Sequence, residues 1–589
     1  MKSFLKYTLA SCLGIVVAFV IITFFTVIFF IAMFASFSPD TTIKVQKETV
    51  LKLELNEFIP ELTDNSPSST FDFSKKDRLG YRDLIATVKH AAKDDKIIAI
   101  QLEMNRPVLN VTAASQLNEE LRNFSSSGKP IFVHGTHFTQ GEYYLASTAD
   151  HISLNPFGAI DFRGLGILGT FMPDFFKKLG VDFYVYTAGD YKGAGETFHR
   201  RDFSEENREQ LTDILNGTYQ YFLEEISVNR NIPVEKLREI ANELRSRDDQ
   251  SALELRLVDA VENKQDFRER IKMALNIEDE KLRTISAANY FASTRSDRRS
   301  RADNQIAVIY AEGAILGGND QGGVISDEVY VRAIQEIIEN DDIKAVVLRV
   351  NSGGGSVIAS DNIYQALIRL RESGKELVVS MGDVAASGGY YIACASDHIL
   401  AEPQTITGSI GVFFLIPNLN DLLQNKLDIH YDTITTSPHA LSFNPIKEFS
   451  EKEHEYFQEL VEKTYDRFVN LVADSRNMNY NEIHELAQGR IWLAEDALQS
   501  GLIDQIGGLN DALDLSASLA GIEEYRVRSY PHIKDPFLRF LEELTGESFS
   551  LEEVALKRLS KTYSELSTLQ QLKNKEGLQS IMPFQIIYE

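Results

Sequence analysis

A chain of 589 residues exceeds what one hydrophobic core ordinarily organises, so two or more large units are expected. A formal net charge of -26 argues against a nucleic-acid partner, because phosphate contacts need clustered Lys and Arg that would work against that field. The two cysteines, Cys12 and Cys394, occupy unrelated settings and suggest no disulfide, and neither a His-Glu-x-x-His nor a Cys-x-x-Cys pattern occurs, so no metal is expected.

Lys2 and Lys6 open the chain, and no charge follows from Tyr7 to Pro39. That run is longer than the ~20 residues needed to span a bilayer. Met33 and Phe34 stand where a cleavable signal would place small residues, so residues 1–40 are expected to be an uncleaved transmembrane anchor. The two lysines put its N-terminus in the cytoplasm and the rest of the chain across the membrane.

Beyond the anchor the chain repeats itself. Residues 140–156 align without gaps with 387–403, and 94–105 match 341–351 and 252–259 match 497–504 in the same register to within a residue or two. Two tandem copies of one domain are therefore expected, over 45–292 and 305–530, joined by a polar, Arg-rich linker over 293–304. In the second copy, apolar runs at 305–310, 345–350 and 376–380 read as parallel strands, and 328–339 and 360–372 as crossover helices. A longer amphipathic helix is expected over 451–475. The fold class is α/β, built on βαβ units, and sites in such sheets form at the C-terminal ends of strands. Residues 531–589 read as a helical C-terminal tail, docked on the second copy or lining an interface.

Two stretches fall at strand ends. Ser387 stands between the apolar run 375–380 and the small and aromatic residues 388–395, at a strand-to-helix turn. Free N–H groups at a helix start favour an anion developing there, and Gly388 and Gly389 allow close approach. A serine in such a place is also an ordinary cap. Asn351 to Ser356 holds three successive glycines with no lysine after them, which disfavours a phosphate loop and suggests backbone N–H groups open to an oxyanion.

The comparison between copies adds more than either copy alone. The first copy has Gln140 at the place of Ser387 and residues 106–109 at the place of the glycine run, so it is no complete hydrolytic site. It carries Lys192, however, for which the counterpart near 436–442 has no lysine. Each copy holds what the other lacks. His398 is the alternative base by proximity in sequence, but its twin His151 belongs to the copy without the serine, which points to a structural role for both. The run 405–414 reads as a strand whose Gly408, Ser409 and Ile410 line a substrate groove.

The segments 385–390, 349–356, 407–411, 489–492, 501–504 and 191–194 together resemble the signal peptide peptidase A family, also called protease IV, in its long, duplicated, membrane-anchored form. The resemblance implies a serine endopeptidase with a Ser/Lys dyad, on a fold like that of crotonase and Clp protease. It further implies remnant signal peptides as substrates, catalytic domains on the periplasmic side of a bacterial inner membrane, a homotetramer, and no cofactor. Carried over by position, Ser387 is the nucleophile, Lys192 the general base, and Gly388 and Gly354 the donors of oxyanion N–H groups. Gly353 stands where the family usually has proline. Two other readings stay open: a crotonase-like acyl-CoA enzyme, which would use the same N–H pair without needing Ser387 or the anchor, and an inactive membrane scaffold that uses the duplicated fold for assembly.

Overall fold

The structure, a computed structural model, describes residues 44–531 apart from 57–58, 60, 63–78, 106–109, 279–280, 295–301 and 319–322, together with 579–581 and a few helical positions between 14 and 25. Most of the expected anchor, the centre of the linker and most of the tail lie outside the described residues. Among those described, no helix is long and apolar enough to cross a membrane. The chain divides into Met1–Val45 and Gln46–Glu589, and both copies of the repeat fall in the second unit.

The strands of the first copy are β1 (Thr49–Asn56), β2 (Ile97–Asn105), β3 (Ile131–Phe138), β4 (His151–Ile160), β5 (Asp182–Ala188), β6 (Ala260–Val261) and β7 (Thr284–Ser286). All except β5 form one parallel sheet in the order β6-β4-β3-β2-β1-β7. The second copy supplies β8 (Gln305–Glu312), β9 (Ile315–Leu316), β10 (Ile325–Ser326), β11 (Ile343–Ser352), β12 (Gly354–Ser356), β13 (Glu376–Ala386), β14 (His398–Ala401), β15 (Ile406–Gly408) and β16 (Val412–Asn418). It continues with β17 (Ile491–Leu493), β18 (Gln505–Ile506) and β19 (Arg526–Tyr530), and the tail adds β20 (Gln579–Ile581). Its main sheet runs β17-β15-β13-β11-β8-β19, with β14 beside β13 and β18 beyond β14. Only the β15–β17 pairing in it is antiparallel.

The central strands are buried on both faces, which is why they read as unbroken Ile/Val/Leu runs rather than alternating ones. Successive side chains still part to opposite faces. Ala307, Ile309, Val346 and Leu348 meet Ile334, Ile337, Ile363 and Leu367 of helices Asp327–Glu339 and Val357–Glu372. Ile306, Val308 and Val347 meet Leu509, Ala512 and Leu513 of helix Leu509–Leu519 on the other side.

The duplication is plain in the elements. Helices Glu205–Arg230 and Glu451–Arg476 both have 26 residues, and each ends on an asparagine in the left-handed region, Asn231 and Asn477. Asparagine tolerates that region because its short side chain bonds locally.

One strand leaves its own copy. β5 pairs antiparallel with β16 of the second copy, from Asp182 opposite Asn418 to Ala188 opposite Val412, in a third sheet ordered β10-β9-β12-β20-β16-β5. The repeat register assigns residues 428–434 as the counterpart of β5 and 166–172 as that of β16. Neither stretch has a strand partner among the described residues.

Candidate active site

β13 carries the chain to Ala386 and helix Gly388–Ala393 leads away, so Ser387 holds the turn between them at φ 57° and ψ -117°. Its N–H donates to the Gly408 carbonyl at 2.8 Å, and its carbonyl accepts from the Tyr391 N–H at 2.9 Å. A residue with a Cβ is strained in this region, and strain of that kind gathers at functional sites. The glycines that follow let the new helix start against the glycine loop. A Cβ at Gly388 would stand 2.7 Å from Ser360 Oγ and 3.2 Å from Gly354 Cα, and one at Gly389 only 2.5 Å from the Ser352 carbonyl oxygen.

The expected partner arrives from the other copy. β5 ends at Ala188, and the turn that follows delivers Lys192 with its Nζ 2.8 Å from Ser387 Oγ. The same nitrogen lies 3.0 Å from both the carbonyl oxygen and the hydroxyl of Ser409. Lys192 is 4% exposed and Ser387 and Ser409 are fully buried. Burial, which penalises the ammonium, pulls the Lys192 amine down to about 7. A neutral amine at this distance can take the proton of the serine hydroxyl, and no histidine or carboxylate is needed for it.

The stretch expected to line a groove has a different geometry. The run 405–414 is broken between β15 and β16 by Ser409, whose φ of 51° turns the chain. Gly408 is paired on both sides, with Ala386 and Ile491, and Ile410 packs into the main core. Of the three residues, Ser409 holds the lysine amine through its carbonyl and hydroxyl oxygens, while the Gly408 backbone is paired to its neighbours.

Gly354 already holds a partner. Its N–H, expected to face an oxyanion, donates to Ser352 Oγ at 3.1 Å, a bond that the backbone at φ 98° brings within reach. Gly388 opens its helix, so its N–H belongs to the first turn, where no intrahelical acceptor exists. The loop itself is paired: β12 runs antiparallel to β20, with Gly355 opposite Ser580, and parallel to β9. His398 is ruled out as the base by topology. It pairs with Val378, at the opposite end of β13 from Ser387.

The residues that sequence reasoning missed lie just behind the site. Arg349, 2% exposed on β11, donates to Glu61 and Glu402, and also to Ser380 Oγ and the Met381 carbonyl of the strand that carries Ser387. Asp383 on that strand accepts from the N–H and hydroxyl of Thr112 in the first copy, at 2.8 and 2.6 Å. The available signal was one arginine inside an otherwise apolar strand run.

A duplicated α/β fold in which a buried amine meets a serine hydroxyl at a strained strand-to-helix turn is the design of a serine-type hydrolase. The family model of peptidase family S49 matches residues 123–278 and 369–523, and the chain belongs to this family of serine-type peptidases. It is 34% identical over 478 residues to Protease 4 of Salmonella typhi, covering 79% of this chain and 76% of that protein. Identity to Protease 4 of Haemophilus influenzae is 32% over 450 residues, covering 74% and 72%. The chloroplastic serine protease SPPA of Arabidopsis thaliana is 30% identical over 456 residues, covering 73% and 64%.

Proposed function

We propose that Ser387 and Lys192 form the catalytic dyad of a peptidase acting on apolar peptides, remnant signal peptides in a membrane among them. The observation that carries this reading is the 2.8 Å between Lys192 Nζ and Ser387 Oγ, with both side chains buried. The neutral amine takes the serine proton as Oγ attacks the scissile carbonyl, and the ammonium so formed returns a proton to the leaving amine. Water then cleaves the acyl-serine with Lys192 again as base. The Gly388 N–H receives the oxyanion, and Gly354 joins it by exchanging Ser352 Oγ for the substrate oxygen. Peptide binding by strand addition is supported by β20, an extended segment already paired antiparallel to the glycine loop. In this reading residues 1–40 are the anchor that keeps the site near membrane-held substrates.

The test is mass analysis of the full chain in detergent after exposure to a serine-acylating peptide inhibitor. Wild type is expected to gain the label at Ser387, and Ser387→Ala and Lys192→Ala to gain none. Labelling of Lys192→Ala at the wild-type rate would sink the dyad.

A homo-oligomer, a tetramer by the same resemblance, is part of this reading and has a specific support. Within the chain, the arm of the first copy (β5) pairs with the edge of the second (β16). The second copy's arm, 428–434, and the first copy's edge, 166–172, carry Ile434 and Leu168 at 99% and 94% exposure. Pairing them between chains repeats the internal contact head to tail and closes a ring. Analytical ultracentrifugation is expected to show oligomers for wild type and monomers for the Leu168→Asp/Ile434→Asp double variant. Monomers for both would remove the proposal.

A further inference from the structure

We propose that Arg490, in the turn of residues 488–490 that leads into β17 of the second copy, is the positioning residue that sets Lys192 of the first copy against Ser387. This rests on Lys192 acting as the base.

The turn touches both anchors of the amine. On the Lys192 side, the Tyr191 N–H donates to the Gln488 carbonyl at 2.8 Å, and a Cβ at Gly489 would lie 2.7 Å from Lys192 Cβ. Only glycine fits there, and its φ of 78° suits the turn. On the other side, the Ser409 N–H donates to the Arg490 carbonyl at 2.7 Å. One peptide segment therefore sets the backbone of the base and the backbone of the serine that cradles it.

The Arg490 side chain locks that segment to the first copy. Its guanidinium carbon lies 4.8 Å from the ring centres of both Tyr191 and Trp492. Its nitrogens reach Glu209 at 3.1 Å and Asp213 at 3.0 Å on helix Glu205–Arg230, and the Tyr191 hydroxyl at 3.2 Å. Gln210 of the same helix completes the join, donating to the Tyr191 carbonyl and accepting from the Ile491 N–H. A planar cation stacked between two rings and forked onto two carboxylates is a task for arginine that lysine does not perform. A general base misplaced by an ångström loses most of its effect, so a clamp on its neighbour acts on the chemistry without touching substrate.

The test measures the rate of Ser387 acylation by a peptidyl probe, against pH and probe concentration, in the full chain carrying Arg490→Ala or Arg490→Lys. Arg490→Ala is expected to acylate about 10- to 100-fold more slowly with half-saturation within about twofold of wild type. The acid limb of its pH profile moves up as the loosened amine regains water. Arg490→Lys, which keeps a charge for Glu209 and Asp213 but not the stack, stays slow, and it carries the test alone if the alanine variant does not fold. Unchanged rates overturn the proposal, and so does a loss uniform in pH with the acid limb unmoved, which marks a purely structural role. Absence of the label in wild type would overturn the dyad reading instead.

Discussion

Replacing Lys192 by methionine is expected to slow peptide cleavage by about a thousandfold or more and, at neutral pH, to make the chain harder to unfold. The first effect follows from the loss of the amine proposed as the base for Ser387 Oγ, since general-base assistance is worth roughly 10²- to 10⁴-fold. The second follows from burial. The amine is held at about 7 in the fold, against an ordinary value of 10.5, so between those values the unfolded chain binds a proton that the folded chain does not. Stability therefore rises with pH across that window and is lost as pH falls toward 7, where the cost of the buried amine reaches the order of a few kcal/mol. Methionine fills similar space and carries no such cost. Urea midpoints at pH 6, 8 and 10.5 are expected to differ most between the two chains at pH 6 and to converge at 10.5. Wild-type kcat/KM is expected to rise through an acid limb near pH 7. Equal midpoints at all three pH values would mean that the amine is not buried as described.

The pairing of Ser387 with Lys192 was legible because duplication makes a missing residue visible. Gln140 in place of Ser387, and no lysine opposite Lys192, divide one site between two copies, and the α/β alternation places both at strand or turn ends. Burial on both faces made β8, β11 and β13 legible for the same reason, since a continuous Val/Ile/Leu run has few other uses. What stayed hidden depends on backbone angles and on contacts across long separations. Ser409 sits in a run with strand-like composition, and only its left-handed φ directs its hydroxyl and carbonyl to the amine. Three successive glycines carry no sign of where each N–H turns, and the Gly354 bond to Ser352 Oγ depends on backbone angles. Arg490 and Tyr191 meet across 299 positions of chain, beyond any local pattern.

Arg349→Met is expected to be the most destabilising single change near the site, costing about 3–5 kcal/mol. The guanidinium is buried with Glu61 on one side, at 3.0 Å, and Glu402 on the other, at 3.3 Å, and Asp383 is close enough to add to the negative charge. Removing the cation leaves carboxylates in a dry interior without their counter-charge. Even with Arg349 present, burial outweighs its attraction and pushes Glu402 up to about 8, while burial raises Asp383 to about 6. For an acid raised in the fold the sign is opposite to that of Lys192. The folded chain holds protons that the unfolded chain has released, so stability is full below the unfolded value and is lost as pH rises through about 8. The contribution of Glu402 to stability is thus expected to fall between pH 5 and 8, so the gap in urea midpoint between Glu402→Gln and wild type moves in favour of the variant as pH rises across that range. Pairing Glu402→Gln with Arg349→Met is expected to recover part of the loss, because the cost lies in unpaired charge rather than in missing volume. Since Arg349 also bonds Ser380 and Met381 on the strand leading to Ser387, activity should track the folded fraction in these variants. A single Arg349→Met variant as stable as wild type at pH 8 would show that the cluster is hydrated and that β11 and β13 are held by their apolar packing alone.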